Sequence, residues 1–402
     1  MSVNFIKPFP LVILTKGKDP DSQKLQEMLP AVSMTKRILL ILVFILSLSC
    51  SQTQKKSIED TDGYELRYAK GFSVKVYDDY RLVTVHDPWD TTRTLFQYIL
   101  VDRNKEIPSD LPKGTIVKVP LESVIAFSTI QCSMLQEINE QHKIKGVCQA
   151  QYIDLPYIQE KLKSGEILDL GSMHKPDVER LIQLMPSGLV VSAMETGMGY
   201  LEKLKIPVIV TTDYMENTAL GRAEWIRYHA LFYGKEQMAD SLFSETERRY
   251  NEIRDKVKNA DKKPTVFNDL KFGKTWRIAG GQSYLANLIR DAGGEYVWND
   301  SSTGSRRLAG EMVLDEAGTA DIWLLKYNRD NDFTYSSLEK ESKIYSQFGA
   351  YKNKHIWGCN TGRIHYFEDI PIHPDSILRD MAIIFQPQLF PHSELSYFKP
   401  LE

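Results

Sequence analysis

Lys235 to Ala260 runs for 26 residues without a glycine or a proline. Met238, Leu242, Phe243, Tyr250, Ile253 and Val257 recur at helical spacing, and Glu245, Glu247, Arg248, Arg249, Glu252, Arg254 and Asp255 crowd the other faces. This pattern predicts one continuous amphipathic helix, on the order of 40 Å long at ~1.5 Å per residue. Asp261-Lys262-Lys263-Pro264 ends it. The chain on either side must therefore be joined through a stiff rod.

Both flanks show the same rhythm. Before the rod, strands are expected at Val124–Phe127, Ile144–Val147, Leu189–Val191 and Val208–Val210, with helices at Gln131–Gln141, from Pro176 onward, and at Glu195–Leu204. After it, strands are expected at Thr265–Phe267, Ile322–Leu325 and near Lys354–Trp357, with helices at Ser283–Ala292, Glu311–Ala317 and Ser376–Phe385. Strands that alternate with helices imply parallel sheets covered on both faces. The expected fold is α/β: two parallel-sheet lobes joined by one long rigid helix, with a β-rich N-terminal extension. The lobes are placed at 120–218 and 264–402, the connecting helices at 219–263, and the extension at 64–119. At 402 residues the chain is long enough for this division.

The N-terminal part has its own order. Met34-Thr35-Lys36-Arg37 is basic, Ile38 to Leu48 is apolar with one interruption at Ser47, and Ser49-Cys50 comes next. This is the charge, apolar, small-residue order of a secretory signal. The apolar run is too short to span a bilayer comfortably. A cysteine after the small residue resembles the lipobox of bacterial lipoproteins, although Ser47 stands where leucine is usual. On that reading 34–50 is a signal peptide, Cys50 carries the lipid, and 51–63 is a polar tether. Residues 1–33 have no part in the signal and read as a misassigned start. The other reading of the segment is an uncleaved membrane anchor with an incidental cysteine.

A net charge of −3 supplies no electrostatic footprint for nucleic acid. Four isolated cysteines form no C-x-x-C, which argues against a zinc finger or a thioredoxin-type site. Cys132 and Cys148 could pair, but buried thiols are the expectation. No G-x-S-x-G, Walker A loop or H-E-x-x-H is present, so no catalytic residues are assigned. His365 and His373 lie close in sequence without an evident third ligand, so no metal site is assigned either.

The order of several segments resembles a known family. Asp169-Leu170-Gly171-Ser172, Pro176-Asp177-Val178-Glu179-Arg180-Leu181, Leu189-Val190-Val191, Leu220-Gly221-Arg222-Ala223-Glu224-Trp225, Leu231-Phe232-Tyr233-Gly234-Lys235, and the stretch from Ala279-Gly280-Gly281 to Ala292-Gly293-Gly294 are similar to the signatures of the binding proteins that serve ABC importers of iron-siderophores, haem and cobalamin. Ser187-Gly188 replaces the usual aspartate after Pro186. The resemblance spans Val117 to the C-terminus and leaves out 64–116.

It implies a non-enzymatic, monomeric, periplasmic lipoprotein anchored to a bacterial membrane. Such a protein would hold an iron chelate, haem or cobalamin between two lobes and hand it to a permease dimer with its ATPase. It also implies one docking glutamate per lobe, Glu179 and Glu311. Ligands of parallel sheets sit beyond the carboxyl ends of strands. By that rule the candidate ligand-binding residues are Ser128, Thr129, Tyr152, Glu195, Tyr214, Trp276, Arg306 and Tyr327. No resident cofactor is expected. The competing readings are a bare zinc- or manganese-binding protein and a two-lobed chelatase-like enzyme.

Overall fold

The computed structural model describes residues 64–193 and 201–402. Short apolar runs become the central strands. Val208–Thr211, Gly188–Ser192, Val124–Ala126, Ile144–Val147 and Leu168–Asp169 stand side by side in that order, all parallel. Val124, Ile125 and Ala126 are all fully buried, as expected of a strand covered on both faces.

The second sheet has the order Glu295–Tyr296, Thr265–Asn268, Ile322–Tyr327, Ile356–Asn360 and Lys399–Pro400, with only the last strand antiparallel. Each sheet has one place where the direction of winding reverses. It lies between Val124–Ala126 and Gly188–Ser192 in the first lobe, and between Thr265–Asn268 and Ile322–Tyr327 in the second. Such reversal points leave a crevice at the carboxyl ends of the two strands.

The long helix runs Glu236–Val257, about 33 Å at ~1.5 Å per residue. Ala239, Phe243, Thr246, Tyr250 and Val257 form its buried stripe. Phe243 belongs to the core of the first lobe, whereas Tyr250 and Val257 belong to the core of the second. The same rod thus contributes to both cores. Arg249 pairs with the buried Asp375 at 2.6 Å, and the Tyr250 hydroxyl donates to Asp291 at 2.7 Å. Arg248 and Glu245 pair on the solvent face.

The N-terminal strands Phe72–Val76, Arg81–Asp87 and Asp90–Asp102 are antiparallel, and Thr115–Val119 lies parallel to the third. The extension is built into the first lobe: Phe72, Val83, Tyr98 and Val117 share one core with Trp225 and Tyr228. The Tyr98 hydroxyl donates to the Val208 carbonyl at 2.9 Å and accepts from the Val210 amide at 2.8 Å. It thereby occupies polar groups of an edge strand that would otherwise be open to another chain.

The fully buried Glu224 accepts the amides of Arg67, Tyr68 and Ala69 and pairs with Arg227. Glu216 accepts the Lys70 and Gly71 amides and the Trp225 indole N–H. A Cβ at Gly71 would lie 2.6 Å from the Trp225 ring, so the chain needs glycine there. Cys132, Cys148 and Cys359 are buried thiols with no disulfide among them. Among the described residues no helix is long and apolar enough to cross a membrane.

Candidate functional site

A cleft of about 1220 Å³ opens between the lobes. The first lobe supplies Thr129, the segment 150–154 and Asp169; the second supplies Asn328, Thr361, Gly362, Ile364, Phe367 and Glu368. These positions come after the carboxyl ends of Val124–Ala126, Ile144–Val147, Ile322–Tyr327 and Ile356–Asn360. One aromatic comes from each lobe, Tyr152 at 65% exposure and Phe367 at 46%.

The lobes touch along one seam of the cleft. The Thr129 hydroxyl donates to Glu368 at 2.7 Å. His365 lies 3.3 Å from Asp154, and His373 lies 3.3 Å from Glu137. The hydrogen bond to Glu137 raises the His373 pKa above its ordinary value, against the opposing effect of burial. On another side, the Asn287 amide donates to the Asn217 carbonyl at 2.7 Å. Among the described residues no group of three or more His, Cys, Asp or Glu side chains could hold a metal ion.

Of the residues expected from sequence, Thr129 and Tyr152 line this cleft. Ser128 instead caps the helix Thr129–Glu137, where Gln131 accepts the Phe127 and Ser128 amides at 2.7 and 3.1 Å. Tyr214 is half-buried in the short turn Asp213–Met215, and its carbonyl accepts from Arg222 at 2.7 Å. Tyr327 turns inward. Its hydroxyl accepts from the Phe333 amide at 3.1 Å, and its ring meets Phe333 edge-on.

Trp276 requires a correction. It lies in the strand Thr275–Ala279, whose alternation buries Trp276 and Ile278 and turns Arg277 outward. The indole is fully buried against Phe267, Trp323, Tyr345 and Phe348, and its N–H donates to the Asn268 carbonyl at 3.1 Å. It has no face left for a ligand. Arg306 is also displaced from its expected role: it sits exposed in Ser305–Ala309, away from the cleft lining, with Glu316 at 3.5 Å. Glu195 and Cys50 lie outside the described residues.

Sequence reasoning missed Asn328, Thr361 and Phe367. The first two come directly after strand ends, and the strand-end rule applied one residue further would have found them. Phe367 lies in the short helix Tyr366–Asp369, which carries no periodic signal. Glu179 and Glu311 are each exposed in the first turn of a short helix, Val178–Gln183 and Gly310–Ala317.

Comparison with known proteins finds relatives in sequence and in fold. The chain is 25% identical over 358 residues to an uncharacterized lipoprotein of Methanocaldococcus jannaschii, covering 83% of this chain and 84% of the relative. Its fold is similar to the periplasmic haem-binding protein HutB of Vibrio cholerae, with a TM-score of 0.53 and 18% identity over 67% of this chain and 99% of that one. It is similar likewise to the periplasmic binding protein FepB of Veillonella parvula, with a TM-score of 0.53 and 17% identity over 71% and 96%. The profile of the periplasmic binding protein family matches residues 124–361, which takes in the first sheet, the long helix, the second sheet except its last strand, and the first lobe's wall of the cleft, so the chain belongs to the periplasmic binding protein family.

Proposed function

We propose that this protein is the solute-binding component of an ABC importer and that it captures an iron chelate, haem or cobalamin in the cleft. The observation that carries the reading is the cleft itself: about 1220 Å³, walled by strand ends of both lobes and bearing one exposed aromatic from each. Its volume exceeds the ~300–1,000 Å³ of ordinary small-molecule pockets and suits a bulky solute. Family membership and the haem-binding neighbour support the same class of ligand.

The order of residues 34–50 supports export and lipid attachment at Cys50, in keeping with the lipoprotein named among the relatives. Membrane attachment keeps the loaded protein near its permease. Glu179 and Glu311, one exposed carboxylate per lobe, are the proposed docking contacts.

The test is titration of the purified protein with cyanocobalamin, haemin and ferric siderophores, monitored by tryptophan fluorescence and calorimetry. One of the three solutes is expected to bind with a dissociation constant of ~1 μM or below. Tight binding of free Zn²⁺ or Mn²⁺, with none of the three solutes bound, would overturn the reading.

A further inference from the structure

A second, smaller cavity of about 160 Å³ lies at the reversal point of the second sheet. Asn268 and Asp269 at the end of one strand and Lys326 near the end of the next form its floor. Ile130 of the first lobe and Arg222 of the connecting helices close it, and Phe367 is shared with the large cleft.

Three features set its chemistry. First, the buried Tyr284 hydroxyl that lines it has no hydrogen-bond partner among the described residues. Second, Arg222 stacks over the Tyr284 ring at 4.5 Å and donates to the Asp213 and Tyr214 carbonyls. Lys326 lies over the Tyr366 ring at 5.4 Å. Among the described residues neither cation is ion-paired with a carboxylate. Third, Asp269 is the one carboxylate that the described residues bring to the lining. Its backbone is left-handed, at φ 60°, and it is fixed by its amide to the Leu324 carbonyl and by its side chain to Asn268. Burial raises its pKa, with Lys326 opposing.

We propose that this cavity is a receptor for a small oxyanion, a carboxylate or phosphate group, held by Lys326, Arg222 and the Tyr284 hydroxyl. The Tyr284 hydroxyl is left unsatisfied when the cavity is empty, and an anion would accept from it and make charge-assisted contacts with the two cations beside it. The volume is several times the ~30 Å³ share of one water, so a four-oxygen anion fits. The chemistry is the same whether the anion is free or is the acidic arm of the solute carried in the adjoining cleft. The second source rests on the proposed function; the first does not.

Calorimetry separates the two. Wild type, Lys326→Met and Tyr284→Phe are titrated with inorganic phosphate, with haemin, and with haemin dimethyl ester. Lys326 is exposed and Phe keeps the ring beneath Arg222, so both variants are expected to fold. If the anion is free, phosphate binds wild type and weakens at least about tenfold in Lys326→Met and several-fold in Tyr284→Phe, consistent with charge-assisted hydrogen bonds. If it is the solute's arm, haemin binds wild type about tenfold more tightly than its ester, and that preference vanishes in Lys326→Met. Phosphate binding without any binding of haemin, cobalamin or siderophore supports the cavity and removes the importer reading. The receptor is overturned if phosphate does not bind and haemin and its ester bind wild type and Lys326→Met alike. It is equally overturned if neither phosphate nor haemin binds.

Discussion

Tyr152 and Trp276 are both aromatic residues placed near strand ends by sequence, and the structure gives them opposite surroundings, one exposed and one fully buried. Truncating the fully buried Trp276 to alanine is expected to cost about 3–5 kcal/mol of stability, read by urea unfolding. Tyr152→Ala, at an exposed position, is expected to leave stability within ~0.5 kcal/mol and weaken solute binding by ~1–3 kcal/mol. Unchanged solute affinity in Tyr152→Ala would remove the ring from the site. Tyr98→Phe tests a different contact. It strips the edge strand of two hydrogen bonds and is expected to lower stability by ~1–3 kcal/mol, also in urea. The difference between Trp276 and Tyr152 was half legible. The alternation in Thr275–Ala279 predicts that Trp276 and Arg277 point to opposite faces, but which face meets the core depends on Phe267 and Trp323, strands away in sequence.

At the scale of elements, the central strands were legible because runs such as Val124–Ala126 and Ile144–Val147 are short, apolar and bounded. The helix Pro156–Ser164 also carried its own signals, proline at its start and the left-handed Gly165 at its end, though its weak apolar stripe hid it. The seam between the lobes was not legible, since it pairs His373 with Glu137 across more than two hundred residues. That seam has a pH dependence. Glu137 raises the His373 pKa; Asp375 adds to the effect, and burial and Arg249 oppose it. A raised pKa stabilises the folded pair fully below the unfolded value of ~6.5, and the contribution is lost as pH rises through the folded value. Thermal melting is therefore expected to show stability falling from about pH 6.5 upward, on account of this pair. His373→Gln should flatten that slope, and a slope identical to wild type would show that the pair contributes nothing. His365 faces Asp154, which is largely exposed, so its pair is worth little beside the half-buried one.

For the molecule as a whole, each lobe carries an exposed acid in the first turn of a helix that feeds a central strand. A helix that feeds a parallel strand runs antiparallel to it, so its N-terminus sits at the carboxyl edge of the sheet, and that edge faces the cleft in both lobes. Val178–Gln183 feeds Gly188–Ser192, and Gly310–Ala317 feeds Ile322–Tyr327, which brings Glu179 and Glu311 to the cleft side of their respective lobes. Among the described residues neither is ion-paired, whereas Asp177, the cap beside Glu179, is engaged with Arg180. A helix dipole alone accounts for an acid in a first turn at ~0.3–1 kcal/mol, so stability does not distinguish a docking role from a capping one. Transport does. Two carboxylates held at a fixed separation would meet paired positive patches on a permease dimer, setting register and speeding encounter. The double variant Glu179→Gln, Glu311→Gln is expected to keep wild-type solute affinity and to lose less than ~2 kcal/mol of stability, twice the single-site dipole value. Uptake into vesicles carrying the permease and its ATPase is expected to fall by about tenfold or more at low salt and limiting binding protein, and the deficit should shrink as salt screens the wild-type advantage. Uptake equal to wild type under those conditions, with both side chains neutral, would leave the two glutamates as helix caps and nothing more.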